Sequence, residues 1–288
     1  MGKMQKLHSI CWVAGIEYRK WLTMKHFLIL LFSIIFLGEC VFSNMRRVAQ
    51  MTGLQMGYLE PMGLVMSFEF YIMVIPLVVI VELSGFPDKS AGNLFVVMRS
   101  GRIAWLLGEV LFGVLVGITC LVVFFAASFA WVFGVARCFG QWSPFMSETY
   151  VQFPEVYGQE AMLFLEPGTL AHGTPASVTL VCICLLMLYV TVMVQALCLF
   201  QLLGKQKAGL FFNIGVTVFG AVAVAFLGGA KWLFPMAHAI FGVHFDKFFS
   251  RPIFPLQYSI AYFVALNVIL LAANMRLAKR CMVADGVW

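Results

Sequence analysis

Apolar runs dominate this chain, and the polar residues fall mainly between them. Six runs approach or exceed the roughly 20 helical residues that cross a hydrocarbon core about 30 Å thick. They cover 26–43, 62–83, 103–135, 176–203, 208–230 and 256–275. The third is long enough to tilt or to leave the bilayer. The pattern predicts an all-α polytopic membrane protein, 1–288, built as one transmembrane domain of six helices. An even number of spans puts both termini on one side.

The connections carry patterns of their own. Residues 8–25 place Ile10, Val13, Ala14, Glu17, Tyr18 and Trp21 near one helical face, with Lys6, Arg19, Lys20 and Lys25 as basic flanks. That is the signature of an interfacial amphipathic helix along the inner leaflet. The segment 136–176 holds Glu148, Glu155, Glu160 and Glu166 and is broken by Pro144, Pro154, Pro167 and Pro175. It predicts a small extracellular cap of short helices. The segment 231–255 mixes Trp232, Phe234, Phe241 and Phe245 with Pro235, Pro252 and Pro255. Water alone would not tolerate such aromatic density, so a re-entrant or interface-lying hairpin is expected before the last span.

Composition removes the soluble alternatives. The apolar share is 62% and the charged share 11%, against about 25% charged in soluble domains. Most of the surface must therefore meet lipid, which excludes disordered, collagenous, disulfide-stapled and soluble nucleic-acid-binding classes. The net charge of +6 reports orientation through its placement rather than nucleic-acid affinity. Thirteen Lys and Arg lie on one side: Lys3, Lys6, Arg19, Lys20 and Lys25; Lys89, Arg99 and Arg102; Lys205 and Lys207; Arg276, Lys279 and Arg280. The other side has six: Arg46, Arg47, Arg137, Lys231, Lys247 and Arg251. The positive-inside rule puts both termini in the cytoplasm. The eight Cys form no CxxC pair. No cleavable signal peptide is expected, because the first 25 residues lack an apolar stretch followed by small residues.

Catalytic constellations are missing. There is no GxxxxGK[ST] phosphate loop, no GxSxG and no HExxH, and His8, His26, His172, His238 and His244 lack the spacing of a metal site. Any nucleotide energy the protein uses must come from another polypeptide. The acids within the spans are costly, at about 2.5–3.5 kcal/mol each on insertion scales, so each needs an account. Glu39 lies close to Arg46 and Arg47 and reads as a snorkelling or paired acid. Glu69 is the deepest and reads either as a cavity-lining or proton-responsive group or as a neutral, hydrogen-bonded structural Glu. Glu82 and Glu109 bracket a connection holding Lys89, Arg99 and Arg102, which predicts a salt-bridge cluster. Gly113 with Gly117, and Gly215 with Gly220, offer small faces for close helix packing.

Residues 82–110 read ELSGFPDKSAGNLFVVMRSGRIAWLLGEV. A polar turn precedes a short amphipathic stretch from Asn93 to Met98, and a basic break, Arg99 to Arg102, precedes the third span. Such an element can dock on a cytoplasmic partner and pass rigid-body motion to two spans. The stretch resembles the coupling region of exporter-type ABC transporter permeases, the type-two family. The match is carried by Glu82, Lys89, Gly92, Asn93, Arg102 and Leu107-Gly108. Ser100-Gly101 replaces the family's proline-containing break, and Glu109 stands where a lysine is common. The basic amphipathic N-terminal helix, the six spans and the aromatic hairpin extend the resemblance over the chain at low resolution.

The resemblance implies a permease subunit without chemistry of its own in a plasma membrane of bacterial type. It would pair with an identical or related permease and with separate ATPase subunits that bind ATP and Mg. Asp88, Leu94, Phe95, Met98 and Arg99 would join the matched residues and Glu109 in coupling, and Glu39 and Glu69 would line the substrate pathway. The cargo expected is a hydrophobic or amphipathic peptide, lipid-like molecule or drug. Alternatives from other classes are a proton-coupled secondary transporter or channel titrating at Glu69, an intramembrane enzyme, and a non-transporting immunity or anchor protein.

Overall fold

A computed structural model describes residues 3–86, 91–246 and 251–284. The order begins with α1 (Lys3–Trp21), α2 (Met24–Leu37), a π-helical turn (Gly38–Phe42) and α3 (Ser43–Thr52). Strand β1 (Met56–Gly57), α4 (Glu60–Ser67), α5 (Glu69–Ile72), α6 (Val74–Glu82), α7 (Ala91–Ser100) and α8 (Arg102–Val132) follow. Then come β2 (Ala136–Arg137), the short helices α9 (Pro144–Ser147), α10 (Thr149–Gln152), α11 (Pro154–Gln159) and α12 (Pro167–Leu170), and two long ones, α13 (Pro175–Leu202) and α14 (Gln206–Phe226). A short α15 (Pro235–Ala239) precedes α16 (Leu256–Ala284).

Among the described residues, five helical stretches are long and apolar enough to cross a membrane: Met24–Thr52, Arg102–Val132, Pro175–Leu202, Gln206–Phe226 and Leu256–Arg280. The second predicted span is not one straight rod. It is α4 followed by α5 and α6, bent by 91° at Phe68, whose backbone is extended (φ −105°, ψ 128°). The two ends of this broken segment are held by different partners. Glu60 bonds Ser143, just beyond the C-terminus of α8, while Glu82 bonds His26 at the start of α2.

At 31 residues, α8 is about 46 Å long by the helical rise, and it forms the spine. Glycines let its neighbours approach closely. A Cβ on Gly113 would stand 2.5 Å from the Val194 side chain and one on Gly117 2.9 Å from Val190, so the Gly113/Gly117 face fits into α13. Gly108 receives α1 in the same way, with Val13 2.6 Å from an added Cβ. Further along, the Tyr18 hydroxyl donates to Thr119 at 2.8 Å, because the Thr119 proton already goes to the Leu115 carbonyl. Hence α1 runs along α8 in the same direction, burying Val13, Ala14 and Trp21. The polar side chains of the interior are used in pairs: Gln195 of α13 donates to Asn267 of α16 at 2.7 Å, and Asn274 donates to the Gln195 carbonyl at 2.9 Å.

The cap at 136–176 consists of short helices, as expected, and is pinned to the bundle. β1 and β2 pair in parallel, Met56 with Ala136 and Gly57 with Arg137, and Trp142 donates to the carbonyls of Leu170 and Gly173. The aromatic segment before α16 carries Met236–Gly242, all buried, with α15 packed among α13, α14 and α16. Its Gly242 lies against Thr169 and the Ser67 carbonyl, next to the break between α4 and α5.

Candidate functional site

The stretch expected to meet a partner folds as the helix α7. Gly92, Asn93 and Leu94 lie in its first turns, while Asp88 and Lys89 fall outside the described residues. Its faces are sharply divided. Val96, Val97 and Ser100 are buried, whereas Phe95 and Met98 are 72% and 71% exposed. Gly101 makes the corner into α8 with φ +81°, a left-handed conformation that glycine adopts at little cost. The glycine thus turns the chain where a proline break was the expected device.

Two helices hold α7 in place. The Arg99 guanidinium lies over the Trp12 ring of α1 at 5.0 Å, and α7 packs directly on α8, whose first residue, Arg102, donates to the Lys279 carbonyl of α16 at 3.3 Å. Load applied to the exposed face of α7 therefore reaches α1 and α8 directly, and α16 only through α8. Glu109 is enclosed on α8, one turn beyond the first buried residues of that helix.

The expected charge cluster around Glu82 takes another form. The Glu82 carboxylate is buried and meets His26 Nδ1 at 2.5 Å and Trp21 Nε1 at 3.1 Å, both through Oε2. Arg99 is turned to an aromatic face instead. The reason is positional, because α6 ends in the corner made by α1 and α2. Glu39 is exposed on the π-helical turn. Its expected partners are engaged elsewhere: Arg46 donates to the Trp131 carbonyl at 3.2 Å and Arg47 pairs with Glu160 at 3.0 Å. Glu69 is the first residue of α5 and half-buried. No hydrogen bond or ion pair joins Glu39, Glu69 and Glu82 among the described residues.

Two constellations were not legible as sites. Glu60 is fully buried and accepts from Gly57 N at 2.7 Å, Ser143 N at 2.8 Å and Ser143 Oγ at 2.7 Å; it fastens the cap to the broken helix. At the hairpin, two histidines converge on one hydroxyl. His244 Nδ1 faces the Ile240 carbonyl at 2.9 Å and so carries the proton, leaving Nε2 to accept from Ser259 Oγ at 2.7 Å. His238 Nε2 faces the Trp232 carbonyl at 2.9 Å and its Nδ1 lies 2.8 Å from the same oxygen. Burial lowers both imidazoles, that of His244 to about 4. Among the described residues no group of three His, Cys, Asp or Glu could hold a metal ion.

This end of the bundle thus presents an outward apolar face on a helix braced by α1 and α8. No family model, curated protein or solved structure matches the chain.

Proposed function

We propose that this chain is the membrane-spanning permease subunit of an ATP-driven exporter, working with ATPase subunits on separate chains and with a second permease copy or relative. The observation that carries the reading is α7, which exposes Phe95 and Met98 while Arg99 ties it to α1 and its packing ties it to α8. Closure of a partner beneath it would tilt α8 and the helices packed on α8. The cargo pathway would then be more open to one side, and its affinity for cargo must differ between the two states for the cycle to transport anything. The cytoplasm lies on the α7 side in this reading, with thirteen of the nineteen Lys and Arg.

Purification of the tagged full chain from its native membrane tests the proposal. A stoichiometric ATPase subunit is expected, with vanadate-sensitive hydrolysis. Phe95→Asp combined with Met98→Asp should lose that subunit by at least tenfold while membrane expression and thermal midpoint stay at wild type, since both side chains are exposed. Retention of the ATPase by this variant, or vanadate-insensitive transport, overturns the reading.

A second reading is favoured by the break at Phe68. Discontinuous helices mark ion and substrate sites in secondary transporters, and Glu69 opens the second half of this one. Proton coupling there predicts that Glu69→Gln abolishes the pH dependence of transport in ATP-free vesicles. An unchanged pH profile removes it.

A further inference from the structure

At the corner of α1, α2 and α6 lies a cavity of about 180 Å³. Lys20 and Lys25 stand exposed among its lining residues, Glu82 is buried in it, and Trp21, Phe86 and Phe112 give it aromatic walls. Oε2 of Glu82 is occupied by His26 and Trp21, but Oε1 is enclosed and has no hydrogen-bond partner. A buried carboxyl oxygen left without a donor is destabilising, and the cavity is roomy enough for a polar guest. Directly beside the lysines in sequence, Leu22, Met24 and Phe27 are 61%, 72% and 60% exposed. A cationic rim, an acidic interior and an apolar margin therefore occur together.

We infer that this cavity holds the headgroup of a phospholipid carrying a primary amine, an ethanolamine phospholipid of the inner leaflet. Its ammonium donates to Glu82 Oε1, its phosphate meets Lys25, and its acyl chains lie over Leu22, Met24 and Phe27. The other occupants fail on charge or donor count. A small inorganic cation would find the Glu82 and Glu17 carboxylates already offset by Lys20 and Lys25 in the same lining. An inorganic anion would face the Glu82 carboxylate. A choline head could stack on the aromatic walls but has no N–H to give Oε1, whereas a primary ammonium has three. Lys20 already pairs with Glu17 at 2.7 Å, so Lys25, which has no ion pair among the described residues, is the phosphate partner. The inference requires a membrane setting and is independent of any ATPase partner.

The test uses the purified full chain, delipidated in detergent and returned to nanodiscs of either phosphatidylethanolamine or phosphatidylcholine with identical acyl chains. Native mass spectrometry after gentle extraction should find one tightly retained phosphatidylethanolamine and at least about tenfold less phosphatidylcholine, the factor lost with one charged hydrogen bond. Glu82→Gln should lower retention of phosphatidylethanolamine about tenfold. Lys25→Ala, an exposed and fold-neutral change, should lower it several-fold with the thermal midpoint unchanged in detergent. Millimolar soluble phosphoethanolamine should not displace the lipid. Equal retention of both lipids, wild-type retention by the Lys25→Ala variant, or displacement by the soluble headgroup overturns the inference.

Discussion

His244 illustrates how a residue that looks incidental in the chain becomes structural. Its imidazole is fully enclosed and held neutral, with burial lowering its pKa to about 4 from an ordinary 6.5. The unfolded chain therefore takes up this proton first as the solution is acidified. Stability due to His244 is complete above pH 6.5 and drains away as the pH falls toward 4, by about 3 kcal/mol over the window at 1.36 kcal/mol per unit. Thermal unfolding in detergent at pH 7.5 and pH 4.5 should show a midpoint that drops on acidification. In His244→Gln, which cannot take up the proton, that drop should shrink. Neither His238 nor His244 sits at a ligand-like spacing, so their convergence on Ser259, 15 residues beyond His244, could only be seen once the hairpin had folded back on α16. The same holds for Glu60, whose donors Ser143 N and Oγ lie 83 positions away, and for Glu82, whose partner His26 lies 56 away. Charges adjacent in sequence suggested a local cluster, and the long-range fold supplied different partners.

At the scale of elements, what periodicity and hydropathy encode was readable. The long helices fall where the apolar runs are, and α7 falls between two of them as expected. The Gly113/Gly117 face was also legible, because small residues four apart leave a groove whatever fills it. Gly215 carried the same signal without the same use: an added Cβ would meet nothing nearer than Phe219 of its own helix at 3.9 Å. The contrast makes a paired prediction. Gly113→Leu should destabilise the fold by about 1–3 kcal/mol through overpacking against Val194, lowering the thermal midpoint by several degrees. Gly215→Ala should leave it unchanged or raise it slightly, since alanine favours a helix interior by about 0.5–1 kcal/mol. The break at Phe68 was not legible, for no glycine or proline stands there. Gly242, remote in sequence, lies beside it, where an added Cβ would stand 3.7 Å from the Ser67 carbonyl.

For the whole molecule, the exposed apolar side chains describe a girdle. Phe32 and Phe36 on α2, Phe211 and Phe219 on α14, and Val268 and Ile269 on α16 all point outward, where a soluble protein would place charge. Orientation across the membrane can be read with two exposed cysteines, Cys11 on α1 and Cys138 after β2. In single-cysteine variants of intact cells, a membrane-impermeant maleimide should label Cys138 at once and Cys11 only after permeabilisation. The reverse pattern would invert the topology that the Lys and Arg distribution implies.

The parallel docking of α1 on α8 also bears on how the molecule is made. Val13 is synthesised 95 residues before Gly108, the glycine it packs on. At about 5–20 residues per second, α1 spends several seconds or more with its Val13, Ala14 and Trp21 face lacking its final partner, while α2 is already entering the bilayer. An apolar helix face without its partner is drawn to the nearest apolar surface, which beside a membrane is the bilayer interface. Arg19, Lys20 and Lys25, at the end of α1 and just beyond it, are suited to hold the helix at that interface until its groove on α8 arrives.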